Sequence, residues 1–440
     1  MPAADTANTD MADPEVRSPV VGSSKPRLLD VLGPGLITGA SDDDPSGIAT
    51  YSQAGAQFGY GLNWVMLLTL PLMVSVQMIS ARIGRTTGRG LARNLRDHYP
   101  AWLLRGIVFA VVIANTINIG ADLGAMADAV RQVAGGPAWV YLLGFGLLSV
   151  LLQVFMQYTR YVAILKWLSA ALFAYVVTLL MVHVDWAEAG KRLVVPQFQW
   201  SKDYVTLIVA VLGTTISPYL FFWQAAQEAE DVREIPRRQR LTRAPHQARA
   251  AFRRIETDTV VGMAFSNLVA LAIMITTAAT LGASGVTNIE SSAQAAEALR
   301  PIAGPYASTL FALGIVGTGI LAIPVLAGSA AYALGEAMRW KTGLAMQWFE
   351  ARSFYATVAF STLVGMAMDF SPLDPIKALF WSAVVNGVVA VPVMAVMMVV
   401  ARSPRAMGKF AIGGKLLAAG WIATALMGAA AAAMLVSLVL

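Results

Sequence analysis

The chain has 440 residues, 57% of them hydrophobic and 13% charged, with a mean hydropathy of +0.61, a formal net charge of +6 and a pI near 9.5. That balance excludes a soluble globular protein and fits an all-α polytopic membrane protein. The absence of cysteine excludes disulfides and thiolate metal sites.

Residues 1–27 are polar and rich in small residues, without a basic start, short apolar core and cleavage site, and read as a disordered cytoplasmic tail. A transmembrane unit follows over 28–440. Its apolar segments lie at 30–57, 61–82, 102–131, 138–158, 161–184, 204–227, 257–282, 306–337, 352–368, 375–401 and 413–440, which predicts eleven helices.

The first segment, GPGLITGASDDDPSGIATYSQAGAQFGY, is interrupted at Asp42, Asp43, Asp44, Pro45, Ser46 and Gly47. Carboxylates at membrane depth are costly and mark a functional site by default. Pro45 pushes Asp44 out of the helical region, and Gly47 loosens the backbone further, so the helix is expected to break there. A broken helix beside acids reads as a cation site.

The connection 82–98 carries Arg82, Arg85, Arg89, Arg93 and Arg96, and the connection 228–256 carries eight more arginines. Both belong inside by the positive-inside rule. Counting spans from them puts Arg160 with Lys166, Arg339 with Lys341, and the basic residues of 402–415 on the same side. The N-terminus is then inside, as in a bacterial inner-membrane protein. Anionic lipid is the partner expected for these charges, with no nucleic acid. The 228–256 connection reads as a solvated loop.

In the third span, Asn115, Asn118 and Asp122 recur at three and four residues and share a helix face. They read as a polar track beside the cation site, with Asp122 as a proton or ion relay. The sixth span is interrupted at Gly213, Thr214, Thr215, Ile216, Ser217 and Pro218. Five spans separate the two breaks, so the halves run in opposite directions, as in an inverted repeat of five plus five helices. The first repeat covers about 30–184, the second about 204–401, and 413–440 is an extra helix. In such folds the substrate lies at midplane between the broken helices. Asn386 in span ten is placed to line the cavity, while Asp258 at the inner end of span seven, a span that also carries Ser266 and Asn267, snorkels or pairs with Arg253 or Arg254. No metalloprotease, exposed-nucleophile or phosphate-loop motif occurs, so no enzyme and no cofactor are expected.

GPG at 33–35 followed by DPSGIAT at 44–50 resembles the first-helix signature of the NRAMP divalent-metal transporters. Ser217, Pro218 and Tyr219 lie opposite the family's Met-Pro-His in helix six, and FALGIVGTG at 311–319 with LAGSAAYALGEAM at 326–338 is similar to its eighth-helix region. The resemblance implies eleven helices in a leucine-transporter-like inverted repeat and metal transport by alternating access. It also implies roles. Gly47 stands for the family asparagine and Ser217 for the metal-binding methionine; Tyr219 and Gln224 stand for the histidines tied to proton coupling. Asp122 matches the family aspartate, whereas the glutamate three residues on is Ala125.

The soft thioether is therefore replaced by oxygen from Asp44 and Asp43, the hydroxyls of Ser217, Thr214 and Thr215, and unwound carbonyls. Gly47 and Ser217 leave room for water. Oxygen suits hard cations, and Mg²⁺ tends to keep part of its hydration shell. The pattern is similar to the NRAMP-related magnesium transporter branch, with Mg²⁺ or Mn²⁺ as substrate. Asp44 is assigned to the ion, Asp43 to ion attraction or an outer shell, and Asp42 to structure, since consecutive helical side chains diverge by about 100°. The alternative is a sodium-coupled symporter of a small organic solute on the same architecture, a reading that the crowd of aspartates opposes.

Overall fold

The computed structural model describes residues 38–39, 41–155, 173–235, 237–370 and 374–439, and every regular element among them is helical. The 1–27 tail, the first span as far as residue 37 and the start of the fifth span lie outside the described residues.

Helix α1 (Pro45–Phe58) starts on a proline and stops at Gly59, where φ is 57°. A short turn leads into α2 (Asn63–Thr87), closed by left-handed Gly88. A surface helix, α3 (Leu91–His98), precedes the 34-residue α4 (Ala101–Ala134), which is followed by α5 (Ala138–Phe155) and α6 (Phe173–Met181). The sixth span is two helices, α7 (Lys202–Thr215) and α8 (Pro218–Glu234). Then come α9 (Ala248–Thr277), α10 (Ala307–Ala337), α11 (Arg352–Met368), α12 (Pro375–Arg402) and α13 (Gly414–Val439).

Among the described residues, eight stretches are long and apolar enough to cross a membrane. The eleven expected segments include α11, which has 17 residues, and the fifth span, of which only its end as α6 is described. The α4–α10 pair forms the centre, and α10 is buried along most of its length. Small residues let backbones meet: a Cβ on Gly120 of α4 would lie 2.7 Å from the carbonyl oxygen of Gly365 on α11.

The connection expected as a solvated loop over 228–256 is solvated only in part: Arg233, Arg237, Arg243, Arg249 and Arg253 are exposed, whereas Arg238 and Arg254 are buried. Helices α8 and α9 extend into it, and the connection between Glu234 and Ala248 is bonded to the end of α2. Arg85 is fully buried and donates to the carbonyl of Gln239 at 2.5 Å and to Gln247 Oε1 at 3.0 Å. Arg238 pairs with Asp231 at 2.8 Å and Arg254 with Glu228 at 2.5 Å, all four side chains being buried. Carboxylates at the end of α8 thus absorb two of the charges that the sequence suggests are hydrated. Asp258 is fully buried, so of the two expectations for it, snorkelling or pairing, snorkelling does not hold.

Candidate functional site

Each broken helix resumes in the same way. Asp43 is a bend, and Asp44 is extended (φ −70°, ψ 171°) before Pro45 opens α1. Helix α7 ends at Thr215, and Ser217 is extended (φ −78°, ψ 136°) before Pro218 opens α8. The proline ring forbids helical geometry to the residue before it and is itself suited to a first helical turn. The breaks are tied together, since the Tyr219 hydroxyl donates to the carbonyl of Ser41 at 2.9 Å.

Asp44 sits at the junction. Its Oδ1 accepts from the Gly47 amide at 2.8 Å and from the Ser46 hydroxyl at 2.6 Å, which caps α1. Its Oδ2 accepts from Asn118 Nδ2 at 2.9 Å and lies 3.5 Å from the Tyr219 hydroxyl. Asn118 Oδ1 in turn accepts from Asn386 at 3.4 Å. Spans three and six thus meet the span-one carboxylate directly and span ten reaches it through Asn118, and Asp44, Asn118, Tyr219 and Asn386 are each at most 1% exposed.

Other expected residues take different places. Asp42 and Asp43 turn toward α9, where the Ser266 hydroxyl lies 2.6 Å from Asp42 Oδ2 and 3.2 Å from Asp43 Oδ1. The Ser217 hydroxyl is engaged with the carbonyls of Gly213 and Thr214, and that of Thr215 with Val211. The Thr214 hydroxyl faces Gly47, 3.1 Å from where a Cβ there would sit. Gln224 accepts from Thr38 at 2.5 Å, one turn beyond Tyr219. Both oxygens of Asp122, one turn from Asn118, are buried without a hydrogen-bond partner among the described residues. Asn115 is tied to the carbonyl of Leu326 at 2.9 Å. Among the described residues no three carboxylates or histidines gather as a ligand cluster, so an ion here would draw on hydroxyls, amides and carbonyls beside Asp44.

One acid was not singled out from the sequence. Asp369, in the turn after α11, has a carboxylate oxygen 2.7 Å from where a Cβ on Gly124 would lie, half a turn past Asp122. Burial pushes its carboxyl up to about 8. Its only sequence signal is an acid at the end of an apolar span.

The family model described as Natural resistance-associated macrophage protein-like (Nramp) matches residues 35–437. The chain belongs to the Nramp family. Its members are transporters rather than enzymes, with metal ions as cargo. This Nramp protein is therefore an integral membrane protein, and solved structures agree on its fold. It is similar to the Eremococcus coleocola manganese transporter in complex with an aromatic bis-isothiourea substituted compound, at 17% identity and a TM-score of 0.70, over 97% of this chain and 90% of that one. A mutant of the same transporter gives 18% identity and a TM-score of 0.71 over the same shares. A nucleobase-cation-symport-1 family transporter in a closed conformation with bromovinylhydantoin bound matches at 14% identity and a TM-score of 0.53, over 97% and 96% of the two chains. The architecture is the leucine-transporter-like fold with helices one and six broken.

Proposed function

We propose that this protein carries a divalent metal cation, Mg²⁺ or Mn²⁺, across a bacterial inner membrane by alternating access, through eleven helices with the N-terminus in the cytoplasm. The ion binds between the two breaks. Asp44 is its charged ligand, and Asp43 contributes attraction from the α9 side. Thr214 faces the gap left by Gly47, while Ser217 and Thr215 release their carbonyl partners when the break opens. Asn118, Asn386 and Tyr219 orient Asp44; Asp122 and Gln224 lie along the route on either side.

The observation that carries this reading is the buried Asp44 carboxylate, with one oxygen fixed as a helix cap and the other turned toward Asn118 and Tyr219. A carboxylate in a membrane interior needs a compensating charge, and a divalent ion supplies it. The surrounding oxygens support Mg²⁺ or Mn²⁺; the similar Eremococcus coleocola protein, described as a manganese transporter, supports Mn²⁺. The arginine-bearing face lies inside by the positive-inside rule.

The test is uptake of Mg²⁺, Mn²⁺, Ca²⁺ and Fe²⁺ into proteoliposomes. Wild type is expected to transport Mg²⁺ or Mn²⁺ and Asp44→Ala to transport none. Full activity in the variant would remove the site.

A further inference from the structure

A cavity of about 510 Å³ opens on the arginine-bearing face, between α3, the ends of α8 and α10, and the segment 339–346. Six cations line it, Arg89, Arg93, Arg96, Arg233, Arg339 and Lys341, against two carboxylates, Asp97 and Glu336. Both carboxylates are already engaged. Asp97 pairs with Arg89 at 2.7 Å and Arg96 at 3.2 Å, and Glu336 accepts from the amides of Gly90 and Arg93 at 2.9 and 3.1 Å, capping α3. No ion pair holds the side chain of Arg93, Arg339 or Lys341 among the described residues.

Arg339 is also held in a costly backbone conformation. It follows the last turn of α10 at φ 64°, with the Trp340 amide bonded to the carbonyl of Gly335 at 2.8 Å, the helix ending at which glycine is the usual choice. A long cation stands there, at the edge of a cavity lined by other cations. Just outside, Arg240 packs against Gly88, and burial first, then Arg243, Arg89 and Arg93, push its guanidinium below the usual arginine range. Strain and like charge together favour an anion at this cavity.

We infer that this cavity binds an oligoanionic phosphate group. Guanidinium forks reaching in from three chain segments match phosphate oxygens, which accept several bidentate contacts at once. The volume lies in the range of small-molecule sites. Trp340, 38% exposed, adds an indole at the rim. A divalent cation would be repelled here, so the cavity is no outlet for the metal and the inference does not depend on the metal reading. The phosphate has two sources, a soluble polyphosphate such as a nucleotide carries, or the headgroup of an anionic phospholipid.

The full chain in phosphatidylcholine nanodiscs is titrated with sodium tripolyphosphate by calorimetry, and the titration is repeated in discs that also contain cardiolipin. A parallel arm measures retention of cardiolipin by the protein in detergent. Saturable binding in at least one arm is expected, weakened about tenfold by Arg93→Gln and again by Arg339→Gly, and weakened by added salt. Glycine suits the left-handed position, so the loss in Arg339→Gly cannot be laid to misfolding. Tripolyphosphate binding that persists beside cardiolipin identifies a soluble ligand; binding that cardiolipin abolishes identifies the headgroup. Absence of saturable binding in both arms, or equal binding by wild type and both variants, would overturn the inference.

Discussion

Asp44 splits its two oxygens between two tasks, one held by the first turn of α1 and the other by Asn118 and Tyr219. In the proposed site, an ion approaching the second oxygen would meet a carboxylate whose direction is already set. The Asp-Pro step made this residue legible, because the proline dictates both the break and the extended backbone before it. Asp369 was not legible, since an acid at the end of an apolar run reads as a solvated turn and nothing in the sequence places the α4 backbone at Gly124 against it. Burial holds its carboxyl at about 8, above its unfolded value near 4. A carboxyl raised on folding contributes stability that is full below about pH 4 and is lost as pH rises through about 8. The melting midpoint of wild type in detergent should fall across that window, and Asp369→Asn should flatten the fall. Equal slopes in the two proteins would exclude Asp369 as the source.

Breaks in spans one and six, five spans apart, were readable as elements because each combines proline with small polar residues. What held the sixth span to its neighbours was not readable. A Cβ on Gly213 would overlap the carbonyl of Ala383 and lie 2.5 Å from the Gly387 amide, so α7 and α12 meet backbone to backbone just before the break. Gly213→Ala should then lower stability in detergent by about 1–3 kcal/mol through overpacking, seen as a lower melting midpoint. An unchanged midpoint would mean that the two helices separate without cost. The 228–256 connection was legible only in part. Arginine density suggested a hydrated loop, and Arg233, Arg237, Arg243, Arg249 and Arg253 are exposed, but Arg238 and Arg254 are buried against Asp231 and Glu228 on α8, whose helical end the charge pattern hid.

At the scale of the molecule, composition and the rhythm of apolar segments were enough for a polytopic helical fold, and the paired breaks for its inverted repeat. That the basic connections at 82–98, 228–256 and 339–341 share one face was legible from charge, but their neighbours were not. Only the folded chain brings the residues around 89–96, 233 and 339–341 around one cavity. The molecule thus separates two electrostatic regions, a buried acidic centre between the breaks and a cationic cavity on one face. A cation crossing the bilayer is drawn to the first and repelled by the second. The most direct test of the acidic centre is equilibrium binding of Mn²⁺ to the full chain in detergent, counted from the paramagnetic resonance of free Mn²⁺, for wild type beside Asp44→Asn. Loss of a buried charge partner corresponds to about 3–5 kcal/mol, so the account predicts one saturable site weakened at least about a hundredfold in the variant. Equal affinity in the two proteins would contradict it.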